Sequence, residues 1–248
     1  MIKLLAILFL GIPYVLYSQC WMLHFLAHKG KYSLEFKYNR LRKTVMWVCK
    51  LLRIKINANN KEVLEKLQGG AIIASNHLSV VDILAIICLS PQPLIFISKI
   101  ENKKVPFLNA HLKAIDCLTI DRKDLKQSLR VSKDAGLLVK DGHNVVIFAE
   151  GTRSKDGNVA PFKAAFPTIV HYSQNKTVLI TIYNSKAALK FRFFAYPKNI
   201  ISINIFDPLP YEFYLSHKKE FNEITHKMVS DKLEEFKNEY NRNNRKES

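Results

Sequence analysis

The stretch Ala71-Ile72-Ile73-Ala74-Ser75-Asn76-His77-Leu78-Ser79-Val80-Val81-Asp82-Ile83-Leu84-Ala85-Ile86-Ile87-Cys88-Leu89 decides the fold. Its first five residues form a short apolar run of the length expected for a buried strand. A polar junction follows, and then an apolar stretch long enough for a helix. The same alternation continues along the chain. Leu94–Ser98, Cys117–Ile120, Val145–Ala149 and Val178–Tyr183 read as further buried strands. Helical patterns lie between them near Val80–Leu89, Pro106–Lys113, Asp124–Lys140 and Pro161–Tyr172, with Pro106 at a first helical position and Asp141-Gly142 as a stop. Strand–helix alternation predicts an α/β fold with a largely parallel central sheet flanked by helices. Apolar residues spaced along Lys218–Tyr240 (Phe221, Ile224, Met228, Leu233, Phe236) predict a C-terminal helix docked on that core.

Working outward, Leu4 to His28 holds no Asp, Glu, Lys or Arg. Roughly 20 apolar residues cross a bilayer as a helix, so this run predicts a membrane-associated segment. Pro13 is expected to kink it, and no small-x-small site follows that would mark a cleaved signal peptide. The next block carries Lys29, Lys31, Lys37, Arg40, Arg42, Lys43, Lys50, Arg53 and Lys55 against the single acid Glu35. A basic amphipathic helix beside an apolar run suits an anionic leaflet and places this flank on the cytoplasmic side. Three parts are therefore expected: residues 1–55 as anchor and basic helix, 56–240 as the α/β domain, and 241–248 as a polar tail.

The 248 residues include 38 Lys and Arg against 21 Asp and Glu, a net charge of +17. Such a surface calls for nucleic acid, an anionic membrane or anionic substrates. Aromatic residues are not interleaved with the basic block as a base-stacking platform, so nucleic acid is not expected. With 48% hydrophobic residues the chain is not disordered. Cys20, Cys49, Cys88 and Cys117 lie far apart without a CxxC pair, which argues against a disulfide scaffold and for buried thiols in a reducing compartment.

His77 and Asp82 sit at a strand end and a helix start. A histidine there can serve as general base, and an aspartate one turn on can hold its second ring nitrogen. The same spacing, Ser79-x-x-Asp82, also fits a simple helix cap. No GxSxG sequence or cysteine in a polar setting supplies a nucleophile, so the pair would act directly on a substrate hydroxyl. Two further strand ends carry cations: Asp121-Arg122, and Glu150-Gly151-Thr152-Arg153-Ser154, a glycine turn with an arginine and two hydroxyls. In a parallel sheet these ends share one edge, where ligands bind. One base and two phosphate-sized cations are expected on it.

The motifs Asn76-His77…Asp82, Lys99-x-Glu101 with Pro106-Phe107, Asp121-Arg122, and Phe148 with Glu150-Gly151-Thr152-Arg153-Ser154 occur in order within residues 37–185. Together they resemble the 1-acylglycerol-3-phosphate acyltransferase family of glycerolipid acyltransferases. Ala149 stands where that family usually has proline and Asn109 where it usually has glycine. Phe162-Lys163-Ala164-Ala165-Phe166 lacks a usual glycine, and Ile180-Thr181-Ile182 a usual proline. The resemblance implies transfer of an acyl group from a thioester, acyl-CoA or acyl-carrier protein, to the hydroxyl of lysophosphatidic acid, giving phosphatidic acid. It assigns catalysis to His77 and Asp82. It assigns substrate binding to Asn76, Arg122, Glu150, Gly151, Thr152 and Arg153. It implies no metal and no bound cofactor, with membrane lipids, lysophosphatidic acid and the acyl donor as partners, at a membrane with the site facing the cytoplasm. The alternatives are another acceptor, such as glycerol-3-phosphate or a different lysophospholipid, and a non-catalytic basic membrane-binding protein.

Overall fold

The computed structural model describes residues 11–188 and 200–246. Seven strands form one sheet: β1 (Lys55–Asn59), β2 (Ala71–Ser75), β3 (Leu94–Lys99), β4 (Leu118–Ile120), β5 (Asn144–Phe148), β6 (Thr177–Tyr183) and β7 (Ile200–Ile205). Their spatial order is β1-β7-β6-β2-β5-β3-β4. The block β6-β2-β5-β3-β4 is parallel throughout, β6 and β7 are antiparallel, and β1 runs parallel to β7. The central strands are apolar on both faces; β2 is buried at all of its positions, as expected of a parallel strand covered by helices on both sides.

On one face lie α1 (Ile12–Ala27), α2 (Leu34–Leu51), the short α3 (Glu62–Glu65), α4 (Val81–Leu89) and α5 (Pro106–Ala114). On the other lie α6 (Leu125–Lys140), α7 (Ala165–Ser173), α9 (Tyr211–Ser216) and α10 (Phe221–Lys246); α8 (Ser185–Ala188) is a single turn after β6. The sandwich is thus α/β/α, with a core on each side of the sheet.

The N-terminal helices belong to this body. Met22 and Phe25 of α1 and Tyr38, Leu41, Val45 and Cys49 of α2 are buried in the same core as β2 and β6. Full burial of side chains such as Met22 contributes roughly 1.5–3 kcal/mol each. Tyr38 donates its hydroxyl to the Ser90 carbonyl, and Arg42 donates to the Ile87 and Cys88 carbonyls at the end of α4. The apolar stripe of α2, expected against a leaflet, is instead covered by the protein's own core; Lys43 and Lys50 face outward, while Lys37 pairs with Asp116 and Arg40 lies over Trp21. Among the described residues no helix is long and apolar enough to cross a membrane. The first part of the apolar run, residues 4–10, lies outside the described residues. Pro13 falls in the first turn of the described α1.

Other expectations also shift. β1, the sequence Lys-Ile-Asn-Ala-Asn, and β7 were not expected as strands. The region expected as a polar tail continues α10 to Lys246, because nothing in Asn241–Lys246 breaks a helix. All four cysteines are free, but only Cys49 is buried; Cys20 is exposed on α1. The Cys88 thiol points at the Cys49 sulfur, 3.8 Å away between α2 and α4.

Gly136 sits where α6 and α7 cross. A Cβ there would lie 2.6 Å from the Tyr172 Cβ and 2.8 Å from the Ile169 carbonyl oxygen. Gly136→Ala is expected to cost about 1–3 kcal/mol by overpacking, a fall in Tm of about 2–10 °C. Thermal denaturation checks this, and an unchanged or raised Tm would disprove the tight crossing.

Candidate active site

β2, β3, β4 and β5 end on one edge of the sheet, and their following loops build the site. Parallel pairing of β2 with β5 sets Ser75 beside Phe148, and the Ala149 N–H continues the ladder to the Ser75 carbonyl at 3.1 Å. One step further, His77 therefore meets Glu150. The His77 backbone N–H donates to Glu150 Oε1 at 2.7 Å, and the Ala160 N–H donates to Oε2 at 2.8 Å. The His77 carbonyl accepts the Ser154 N–H at 2.7 Å. Both backbone groups of His77 are thus held by the loop after β5.

The imidazole is fixed separately. His77 Nδ1 lies 2.7 Å from Asp82 Oδ2. A carboxylate oxygen only accepts, so Nδ1 carries a proton, which in the neutral ring leaves the lone pair on Nε2. The same Oδ2 accepts the Leu78 and Ser79 N–H groups at 2.7 and 2.8 Å. One carboxylate oxygen therefore serves both the imidazole and the two backbone N–H groups that precede the helix. Ser79 Oγ accepts from the Val81 N–H rather than from Asp82. Asp82 is fully buried, and among the described residues its Oδ1 has no partner. The His77 side chain remains 13% exposed, so one part of the ring is open to a substrate. Phe148, the last residue of β5, stacks on the ring with centroids 3.9 Å apart and planes 18° apart. Asp82 fixes the ring's edge and Phe148 covers one face.

Of the predicted substrate-binding residues, Asn76 and Glu150 are fully buried. Asn76 donates to the Ile182 carbonyl and accepts the Ile182 N–H, at 2.9 and 2.8 Å. Both its amide groups are engaged with β6, and they tie the loop after β2 to that strand. Glu150 is likewise engaged at both oxygens. Desolvation raises its pKa, while the Ala160 and His77 N–H groups pull it down. Gly151 adopts φ +75°, a left-handed conformation that favours glycine. A Cβ at Gly151 would lie 3.3 Å from Lys163 Cγ and 4.0 Å from Arg122 Nε. This turn gathers Arg122 and Lys163 beside it. Thr152 and Arg153 follow, both exposed.

Arg122 is exposed, though partial desolvation lowers its pKa against the opposing pull of Glu101; a guanidinium keeps its charge in any case. Glu101 itself pairs with Lys99 at 2.8 Å, which lowers its pKa. Lys99 ends β3, so this pair shares the edge. Two residues assigned no role from sequence lie at the site: Phe148, noted only as a member of its motif and placed against His77 by the β2–β5 register, and Lys163, brought in by the turn between β5 and α7. Among the described residues no cluster of His, Cys, Asp or Glu could hold a metal ion. The arrangement offers a directed imidazole lone pair beside a cationic rim. It suits proton abstraction from a hydroxyl on an anionic molecule.

A family model described as Acyltransferase matches residues 55–184. A probable 1-acyl-sn-glycerol-3-phosphate acyltransferase of Mycoplasma genitalium is 29% identical over 174 residues, covering 65% of this chain and 63% of that protein. The 1-acyl-sn-glycerol-3-phosphate acyltransferase of Borreliella burgdorferi is 25% identical over 135 residues, 54% of each. The chain thus spans between half and two thirds of the length of these curated relatives. The crystal structure of the 1-acyl-sn-glycerophosphate acyltransferase PlsC from Thermotoga maritima has the same fold, with a TM-score of 0.74 over 95% of both chains at 21% identity.

Replacing Glu150 by Gln puts an NH₂ group against one of two N–H donors. Glu150→Gln is expected to cost about 1.5–3 kcal/mol and to speed amide hydrogen exchange at His77 or Ala160. Equal protection of both amides in the two proteins would show that the carboxylate does not hold them.

Proposed function

Because the chain belongs to the acyltransferase family, we propose that it transfers an acyl group from a thioester to the free hydroxyl of 1-acyl-sn-glycerol-3-phosphate, forming phosphatidic acid. The observation that carries this reading is the 2.7 Å contact of His77 Nδ1 with buried Asp82, on the same sheet edge as Arg122. The names of the curated relatives supply the acceptor.

His77 Nε2 takes the hydroxyl proton as the oxygen attacks the thioester carbonyl. Asp82 stabilises the imidazolium that forms. Collapse of the tetrahedral intermediate breaks the C–S bond. The leaving thiolate, of low basicity, takes the proton from His77 and restores the neutral ring. Arg122, Arg153 and Lys163 hold the acceptor phosphate, a geometry for which guanidinium groups are suited. Glu150, Gly151 and Asn76 position these groups. No metal or bound cofactor enters the proposed steps. The donor is acyl-CoA or acyl-carrier protein, both anionic and suited to a positive surface.

The acceptor and product are lipids, and one side of the molecule fits contact with a membrane. Ile12, Leu16, Tyr17 and Leu23 of α1 are exposed, as are Lys43 and Lys50 of the neighbouring α2. We place this side on the cytoplasmic leaflet, with the sheet edge facing the cytoplasm.

The test is the full chain with lysophosphatidic acid and a thioester donor, with lipid products read by mass. Phosphatidic acid is expected. His77→Ala is expected to lower turnover by about 10²–10⁴-fold, and Asp82→Asn by a comparable factor, with membrane association unchanged. Full turnover by His77→Ala would remove this residue from the base role. Acylation of glycerol-3-phosphate in preference to lysophosphatidic acid would change the acceptor.

A further inference from the structure

α6 starts three residues after Arg122, so its first turns stand at the catalytic edge. Its inner face, Val131, Ser132, Ala135, Gly136 and Val139, is buried. Its outer face is unusual. Leu125 is 83% exposed, the most exposed large apolar side chain among the described residues, and Leu129, one turn on, is 57% exposed. Single exposed leucines are common; two on one ridge at a spacing of four form a small apolar strip. Lys123, Lys126, Arg130 and Lys133 flank it, all exposed. Lys126 and Arg130 enter no ion pair among the described residues. The acids on this stretch are Asp134 and Asp124, and Asp124 caps the helix by accepting the Gln127 N–H.

We propose that this face docks an acidic, helical carrier protein that delivers the acyl chain as its thioester. The inference rests on the acyl-transfer reading above and names the donor for that site. The leucines choose among the anionic partners. A nucleotide carrier offers phosphates for the cations but no apolar helical surface for Leu125 and Leu129. An amphipathic acidic helix offers both: carboxylates for Lys123, Lys126 and Arg130, and apolar side chains for the strip. A lipid surface is disfavoured by position. The apolar side chains of α1 and the cations of α2 lie on the opposite face of the sheet from α6. One flat leaflet that meets the first does not meet the second. A carrier on α6 approaches from the free side, next to the edge where His77 waits.

The test compares two donors of equal acyl chain, acyl-CoA and acyl-carrier protein, with the full chain and saturating lysophosphatidic acid. The variants are Leu125→Ser with Leu129→Ser, and Lys126→Glu with Arg130→Glu. With the carrier-protein donor, KM is expected to rise about tenfold or more in each, with kcat nearly unchanged. With acyl-CoA, both constants should stay within about twofold. The KM for the carrier protein, unlike that for acyl-CoA, should also climb steeply with salt in the wild type. Equal changes with both donors, or no change with either, overturns the proposal. So does a wild-type chain that uses acyl-CoA but not the carrier protein, which leaves the acyl-transfer reading intact. Loss of sedimentation with anionic vesicles in the variants, at unchanged donor kinetics, assigns the face to lipid and overturns it as well. A wild-type chain that turns over neither donor overturns the acyl-transfer reading and the docking with it.

Discussion

The Glu150 carboxylate, buried between two loops, is the contact on which the site depends. One oxygen receives the His77 N–H and the other the Ala160 N–H. The strands that bring it there are adjacent and parallel, so one register fixes the meeting of the loop after β2 with the loop after β5. Burial disfavours the charged form and holds the carboxyl above its ordinary pKa, and the two N–H groups offset part of that rise. The loop that Glu150 begins then returns through the Ser154 N–H to the His77 carbonyl. A histidine held at both backbone groups has little freedom beyond its side-chain torsions. Asp82 and Phe148 remove that remainder. For a base acting on a weakly acidic hydroxyl, the proton moves only as the oxygen attacks, so placement contributes more than basicity.

Ala149 shows how this frame tolerates change. Proline is usual at this place in the family that the sequence resembles, and proline has no N–H. Here the Ala149 N–H bonds to the Ser75 carbonyl at 3.1 Å, and the side chain is almost completely buried. The substitution extends the β2–β5 ladder by one rung and still aims Glu150 at His77. Lost rigidity of the backbone is offset by an added hydrogen bond.

The parallel half of the fold and the chemistry at its edge were legible in the sequence because each rests on a local pattern. β2, β3, β5 and β6 are continuous apolar runs, since both of their faces are covered. Chemistry-bearing residues follow those runs directly, and topology places them on one side. β1 was not legible for the opposite reason. As an edge strand it alternates exposed and half-buried positions, so its polar residues disguise it. The fate of the α2 stripe was equally hidden: an amphipathic helix looks the same whether its apolar side meets lipid or protein, and only the tertiary contacts of Tyr38, Leu41 and Val45 decide. Lys163 could not be found from sequence because no strand end carries it. Asn76 and Glu150 were read as ligand contacts from a motif, whereas their burial and paired backbone bonds give them a supporting part.

The net charge gains meaning from its distribution. On α10 the acids Asp231, Glu234 and Glu235 are matched by Lys227, Lys237 and Lys232, whereas Lys126 and Arg130 of α6 enter no ion pair among the described residues. A uniform excess of cations would draw any polyanion to any surface. Unpaired cations in the first turns of α6 instead stand next to Arg122 at the sheet edge. In the proposed reaction two anionic molecules would meet there, one embedded in a lipid surface and one arriving from solution. Their mutual repulsion would oppose the encounter, and fixed cations at that edge would lower the barrier before any bond is made. At the buried Asp82 the Leu78 and Ser79 N–H groups and the imidazole already engage Oδ2. Attraction of substrates and activation of the base are thereby kept on separate groups, which lets the surface be strongly basic while the histidine keeps its partner.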